Sequence, residues 1–289
     1  PIMADELLNE ALCGDLVRVK HLLEAGTSCN VRNEEGRTAL HECCVNGHEQ
    51  MARFLIEFGS EIDAEDAYQQ TPLNLAAEKG HTAILALLCH EGAIASHQDS
   101  FGRSALHWCA RNAAGVREMA AAIQENAAKN SAAAAAAGAS SLSSSSSSSP
   151  MAPLVVLETG AGETPLHWAV AGTPWSPERE SVVQMLLSWG SDPRRESKSS
   201  GQTPLQATAT PQARQLLEEW IAKARAEEED IEAKDEERRQ QLMKEKQEQK
   251  LKANGRNSSS KSRNSGAFSR IKQGPSGKKA PKLTIKLNK

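Results

Sequence analysis

The sequence Gly36-Arg37-Thr38-Ala39-Leu40-His41 recurs in varied form four more times along the chain. The later copies are Thr71-Pro72-Leu73-Asn74, Ser104-Ala105-Leu106-His107, Thr164-Pro165-Leu166-His167 and Thr203-Pro204-Leu205-Gln206. Their hydroxyl residues are 33, 33, 60 and 39 positions apart, so the basic period is 33 residues with two interruptions. A fixed period of this size indicates stacked supersecondary units, each of which buries its apolar face against a neighbour.

The chemistry of the repeated sequence predicts that a helix begins at every copy. A Thr or Ser side chain accepts hydrogen bonds from the free N–H groups of a first helical turn, and proline suits the next position because it has no N–H to leave unpaired. Later in the unit, Gly59 follows the apolar pair Leu55-Ile56, and we expect it to end a second helix in the left-handed conformation. Each unit is therefore predicted to be two short antiparallel helices.

Two sequences of the regular units, GRTALHECCVNGHEQMARFLIEFGSEID (36–63) and QQTPLNLAAEKGHTAILALLCHEGA (69–93), resemble the ankyrin repeat family. The resemblance covers residues 4–126 closely and residues 160–221 with departures from the family pattern. It implies an all-α repeat solenoid of helix-turn-helix units joined by hairpin loops. It also implies a non-catalytic protein that binds other proteins through its hairpin tips and the concave face of its first helices.

The irregular parts of the chain predict a division into five segments. They are ankyrin repeats 1–4 over residues 1–126, with the first repeat a cap; a low-complexity Ala/Ser insertion over 127–159; degenerate repeats 5–6 and a closing helix over 160–226; a charged helix over 227–252; and a basic disordered tail over 253–289. Within the fifth repeat, a second insertion is expected at Gly172–Pro177. The alternation of Leu283-Thr284-Ile285-Lys286-Leu287 leaves open a strand that adds to a partner's sheet.

Composition and charge limit the classes of protein. The chain is 39% hydrophobic and has no apolar run approaching the ~20 residues that span a bilayer, so we expect no membrane partner and a cytoplasmic or nuclear location. Its six cysteines form no C-x-x-C pair, which favours reduced thiols. The net charge is −10 for residues 1–217, −4 for 218–250 and +11 for 251–289. A monomer with an acidic repeat region and a basic tail is expected.

Several histidines and cysteines near the repeated sequences are candidates for a metal site or a catalytic site. His41, Cys43, Cys44 and His48 lie close together, but each occupies an ordinary position of the repeat, and the C-x₂₋₄-C spacing of a structural zinc site is absent. His107 and His167 resemble general bases, but the repeat explains both. The sequence therefore predicts no metal, no cofactor and no catalytic residue, and hence no enzyme.

The residues that vary between copies define a predicted partner-binding surface. Exposed aromatic side chains at hairpin tips are candidate anchors, because aromatic residues and arginine dominate the energetics of many interfaces. The hairpin residues of this surface are Arg32, Glu34, Glu35, Arg37, Tyr68, Gln70, Phe101 and Arg103, and the first-helix residues are Asn46, Glu78, Lys79, Arg111 and Asn112. Trp108 and Trp168 are expected to pack between repeats.

The basic tail supports an alternative function. Residues 251–289 could bind nucleic acid or an acidic partner by charge, and Lys278, Lys279 and Lys282 could form a nuclear localisation signal. On that hypothesis the protein is nuclear or chromatin-associated. The favoured hypothesis is a protein-binding adaptor or regulatory subunit that holds a partner on the repeats.

Overall fold

A computed structural model of the protein describes residues 2–136, 150–172 and 174–259, with side chains at all of these positions except 2, 130–136 and 248–259. The chain divides into two compact units, residues 1–224 and 225–289. The helices are α1 (Ile2–Cys13), α2 (Leu16–Glu24), α3 (Ala39–Asn46), α4 (Glu49–Glu57), α5 (Pro72–Lys79), α6 (Thr82–His90), α7 (Ala105–Asn112), α8 (Val116–Ala136), α9 (Ala152–Val155), α10 (Pro165–Ala171), α11 (Pro177–Ser188) and α12 (Pro211–Ser259).

The first unit is an all-α repeat solenoid, as the sequence predicted. The first helices of successive repeats pack side by side in the order α1, α3, α5, α7 and α10, and the second helices α4, α6 and α8 form another row. Between the two rows lies a core of leucines such as Leu40, Leu73, Leu106 and Leu166, all of which are fully buried. The 33-residue period therefore places one copy of the same leucine in each layer.

Helix starts follow the repeated sequence at four of its five copies. Thr38, Thr71, Ser104 and Thr164 are the N-caps of α3, α5, α7 and α10. The prediction that a helix also begins at Thr203 is wrong, because residues 204–207 form a turn. In this turn the side chain of Gln206 accepts from Thr203 N and the side chain of Thr203 accepts from Gln206 N. Pro211 follows too soon for a longer helix, because proline disfavours helical backbone at the residue before it.

A buried histidine joins three of the repeats to the repeat that follows. The backbone N–H of Thr38 donates to His41 Nδ1 over 3.0 Å, so the ring carries its proton on Nε2, which donates to the carbonyl oxygen of Gln70 over 3.2 Å. His107 Nε2 reaches Glu163 O (3.1 Å) and His167 Nε2 reaches Gln202 O (3.2 Å) in the same way. One ring therefore caps a helix and holds the hairpin of the following repeat.

The third repeat lacks this bond. Asn74 stands where the other regular repeats have histidine, and it is fully buried. Its side-chain oxygen and nitrogen have no hydrogen-bond partner. The shorter amide leaves the contact between the third and fourth repeats without the tie that His41 gives the second and third, and an unpaired buried amide costs about 1–3 kcal/mol.

The hairpins between repeats are built on one side chain each. Asp66 Oδ1 accepts from the N–H groups of Tyr68 and Gln70, each over 2.8 Å, and Asp99 Oδ1 accepts from those of Phe101 (2.9 Å) and Arg103 (2.8 Å). Both aspartates are buried. Because the carboxylate replaces water at the turn, the residues at the tip keep a fixed conformation.

Consecutive hairpins are also linked by backbone hydrogen bonds, and this series continues across the Ala/Ser segment. Ala67 N donates to Glu35 O (2.9 Å), Ser100 N to Tyr68 O (3.0 Å), Gly160 N to Phe101 O (2.7 Å) and Ser199 N to Ala161 O (3.0 Å). At Gly102, with φ of +75°, an added Cβ would lie 2.7 Å from Gly160 N, so the close approach requires glycine. Repeat five therefore stacks directly on repeat four.

The edges of the predicted insertion are more ordered than the sequence indicated. On its N-terminal side α8 continues through residue 126 to Ala136, which suits the high helix propensity of alanine. On its C-terminal side Met151, Leu154 and Val155 are buried in the common core. Packed structure thus begins well before residue 160.

Two helices, α11 and α12, follow α10 in the described part of the chain. Val183 and Leu186 of α11 are fully buried, and Leu217 of α12 joins the same core. Residues 225–247 of α12 are solvent-exposed, and Asp230 pairs with Lys234 (2.6 Å) and Glu236 with Arg239 (3.9 Å). α12 extends past residue 252, where the charged helix was predicted to end, to Ser259.

Replacing Asn74 with histidine should supply the missing tie. The new Nδ1 would accept from Thr71 N, and Nε2 would reach the carbonyl of Arg103, which is 29 residues further on, as Gln70 is from His41. We expect Asn74→His to raise the free energy of unfolding by about 1–2 kcal/mol, measured by urea denaturation.

The matched control is His41→Asn, which copies the defect of the third repeat into the second and should destabilise by a similar amount. If Asn74→His left the urea midpoint unchanged while His41→Asn lowered it, the equivalence of the two positions would be refuted.

Candidate protein-interaction surface

The two aromatic residues predicted at hairpin tips lie in solvent. The side chains of Tyr68 and Phe101 are 52% and 56% exposed, on turns held by Asp66 and Asp99. The guanidinium of Arg103 lies 4.5 Å from the ring centroid of Phe101 and 4.9 Å from that of Trp108. The backbone that carries both aromatic residues is therefore held before a partner binds, which lowers the ordering cost of binding.

The hairpin arginines are less free than the sequence suggested. Arg32 donates to the carbonyl oxygens of Gly36 and Glu65, so it joins two hairpins. Arg37 lies 3.2 Å from Glu35 and 3.5 Å from Asp66. Arg103 donates to Asp99 over 2.7 Å. Each arginine stabilises the tip that it belongs to, and Glu34 and Glu35 remain exposed beside them.

Several first-helix residues of the predicted surface also have structural contacts. Asn46 is exposed and donates to Glu42 O (2.9 Å), whereas Asn112 donates to the carbonyls of Ala77 (3.1 Å) and Glu78 (2.9 Å) at the end of the preceding first helix. Lys79 pairs with Glu78 (3.0 Å).

Gln70, which was predicted to contact a partner, is buried. Only 6% of it is exposed, and its backbone N–H donates to Asp66 while its carbonyl accepts from His41. A partner cannot contact this side chain without opening the hairpin, so Gln70 does not belong among the contact residues.

Two tryptophans and an arginine form a cluster that the sequence indicated only in part. The rings of Trp108 and Trp168 meet edge to face with centroids 5.2 Å apart, which confirms the predicted packing between repeats. The guanidinium of Arg111 lies 5.8 Å from each ring centroid. The shared position of the two tryptophans after the repeat histidine was the available signal, but it did not place Arg111 between them.

A cavity of about 700 Å³ adjoins this cluster. Its walls include Arg111, Glu163, Trp168 and Arg179, together with residues of the turn that replaces a first helix in repeat six. Sequence reasoning missed Arg179, because an arginine in the first turn of a charged helix is usually solvated. Here it is only 8% exposed.

The histidines and thiols weighed as metal or catalytic groups are held in structural contacts. Burial lowers the pKa of His41 and of His107 to about 4 and that of His167 in the same direction, so these rings are neutral near pH 7. Burial raises the pKa of the Cys43 thiol to about 12 and also raises the pKa of the Cys44 thiol well above its usual value. The described part of the chain contains no group of three or more His, Cys, Asp or Glu side chains that could hold a metal ion.

The predicted tail site, which comprises Lys278, Lys279 and Lys282, lies outside the described residues, as do the remaining residues after Ser259. Among the described helices, none is long and apolar enough to cross a membrane. The hypothesis that the basic tail binds nucleic acid gains no support.

Comparison with known proteins identifies the class of protein. A family model for ankyrin repeats in three copies matches residues 7–99 and 65–136, and a model for the single ankyrin repeat matches residues 161–198. The chain belongs to the ankyrin repeat family. No curated protein matches it.

Solved structures agree with this assignment. An ankyrin repeat domain from Acinetobacter baumannii AYE is 25% identical with a TM-score of 0.57, and the match covers 75% of this chain and 96% of that one. A second ankyrin repeat protein is 20% identical with a TM-score of 0.57, over 76% of this chain and 97% of that one, and shows the fold alone. Ankyrin repeats generally mediate protein–protein interaction and are typically not catalytic.

The buried histidines predict a specific loss of stability in weak acid. Their pKa is about 6.5 in the unfolded chain and about 4 in the folded one for His41 and His107, so the unfolded state binds more protons between these values. The free energy of unfolding should therefore fall as the pH falls from 7 to 5, by about 2 kcal/mol for each of the two.

Urea denaturation at pH 7 and pH 5 measures this loss. In His107→Gln the free energy of unfolding should fall by about 2 kcal/mol less between pH 7 and pH 5 than in the unaltered chain, because one titrating ring is removed. An undiminished difference in His107→Gln would contradict the assignment of the loss to these rings.

Proposed function

We propose that the protein is an adaptor or regulatory subunit that holds a partner protein on its first unit. The contact surface comprises the hairpin tips around Tyr68 and Phe101, with Glu34 and Glu35 on one side and the ends of α5 and α7 on the other. The observation that carries the proposal is the pair of large aromatic side chains exposed on turns that are rigidly held. About half of each residue remains in contact with water in the folded chain, where a partner could cover it.

The neighbouring charges support a partner surface rather than a chance exposure. Arg103 packs against Phe101 and remains bonded to Asp99, so the aromatic ring is flanked by an oriented cation. Aromatic anchors with arginine beside them are the composition of interface hot spots. The charge of −10 over residues 1–217 favours a partner with basic residues around its contact area.

The proposal also covers the chain's organisation and location. The repeats provide the binding surface, and the charged helix and basic tail carry a second contact in a cytoplasmic or nuclear complex. No catalytic step is assigned to any residue.

Truncation of both tip aromatics tests the contact surface. Tyr68→Ala combined with Phe101→Ala should reduce capture of the specific partner from a lysate of the source cells at least about tenfold, since each anchor contributes on the order of 1–2 kcal/mol. The captured proteins are quantified by mass spectrometry against the unaltered full chain.

Phe58→Ala is the matched control, because Phe58 is 45% exposed but lies at the end of a second helix. It should leave capture unchanged. The proposal fails if the double variant, folded as judged by its urea midpoint, retains the same partners at the same yield.

A further inference from the structure

The sixth repeat has no first helix to pack against α10. In the other repeats the first helix of the next unit packs against each first helix, whereas repeat six has a turn that begins at Thr203 in its place. The cavity of about 700 Å³ lies at this place, between the ends of α7 and α10, the side chain of Arg179 from α11, and the turn. Its volume is in the range of small-molecule and peptide side-chain sites.

Arg179 supplies a buried positive charge to the cavity. Its Nη1 donates to Ala169 O (3.0 Å) and its Nη2 to Arg111 O (2.9 Å), while its Nε has no hydrogen-bond partner. Within the described ranges no carboxylate pairs with it. A guanidinium that is 8% exposed and faces only carbonyl dipoles remains uncompensated, and burial lowers its pKa.

Arg111 supplies a second and accessible cation. It is exposed at the cavity rim, stacked near both tryptophans, and has no carboxylate partner among the described side chains. Glu163 is the carboxylate that lines the cavity, and one of its oxygens accepts from Trp168 Nε1 over 2.7 Å. The cavity therefore has two guanidinium groups against one carboxylate that is already engaged.

We propose that this cavity binds the carboxylate of an acidic side chain in an extended peptide segment of the partner protein. Arg111 receives the carboxylate with its planar fork, Arg179 stabilises the negative charge from within, and Trp168 packs against an apolar side chain next to the acidic residue. The assignment rests on the proposed function, because it names the chemistry by which the repeats recognise part of their protein partner.

The donor count favours a carboxylate over a phosphate. Two of the five N–H donors of Arg179 are taken by carbonyl oxygens, and the side chain is only 8% exposed, so Arg111 offers the one accessible pair of donors among the described walls. One guanidinium fork matches the two oxygens of a carboxylate. A phosphate dianion carries more charge and a third acceptor oxygen, for which the described walls offer no second accessible fork.

A direct titration tests the site without the natural partner. The isotope-labelled full chain is titrated with the peptide acetyl-Leu-Glu-Leu-amide while the N–H resonances of the Trp168 indole and Arg179 Nε are followed by NMR. Saturable shifts are expected, and acetyl-Leu-Gln-Leu-amide, equal in shape but neutral, should bind at least about tenfold more weakly.

Arg111→Gln should weaken binding of the Glu peptide about tenfold, whereas Arg117→Gln, at an exposed position outside this cavity, should leave it unchanged. The inference is overturned by an absence of shifts at millimolar peptide, by equal affinity for the Gln peptide, or by undiminished binding to Arg111→Gln. A phosphoserine peptide that binds more than about tenfold more tightly than the Glu peptide would replace the carboxylate with a phosphate.

The two proposals fail separately. If the chain does not bind the Glu peptide but partner capture still depends on Tyr68 and Phe101, only the proposal for the cavity is wrong. If the chain binds the Glu peptide but the double tip variant retains every partner, the proposal for the hairpin tips is wrong and the cavity remains as the binding site.

Discussion

The hydrogen bond from a buried histidine to the carbonyl of the next hairpin is the interaction on which three junctions between repeats depend. His41 caps its own helix with Nδ1 and donates Nε2–H to Gln70, so a single neutral ring fixes both the start of a helix and its distance from the following unit. Asp66 holds the other side of that same hairpin. Since the ring is buried, water cannot replace it, and a protonated ring would lose its acceptor nitrogen.

The hairpin series explains how a low-complexity segment is accommodated. Gly160 N donates to Phe101 O over 2.7 Å, although the Ala/Ser segment separates these two residues in the sequence. Trp108 and Trp168 reinforce the same junction through ring contact. The junction between repeats four and five is therefore formed by residues on either side of the Ala/Ser segment.

Much of the fold follows from short-range rules. The residue type alone predicts that Thr38 caps a helix, that Leu40 is buried and that Gly59 follows the end of a helix. The 33-residue period then extends these predictions to the other repeats. Gly59 has φ of +98°, as its place after Leu55-Ile56 indicated. The exposure of Phe101 also followed from its position between two capped helices.

The remaining features depend on partners that sequence spacing does not reveal. Arg37 and Arg103 looked free because their aspartates become neighbours only when the hairpins form. Arg179 looked solvated because the two carbonyls it binds lie 10 and 68 residues away. Gln70 could not be recognised as buried, since its burial comes from the histidine of the preceding repeat.

Amide hydrogen exchange of the full chain in increasing urea tests most directly whether the repeats form one stack across the Ala/Ser segment. Amides in α7 and α10 should converge on one opening free energy and one urea dependence, with the Gly160 amide protected by Phe101. Exchange of α10 and α11 at a clearly lower free energy than α5 and α7, with an unprotected Gly160 amide, would contradict a continuous stack.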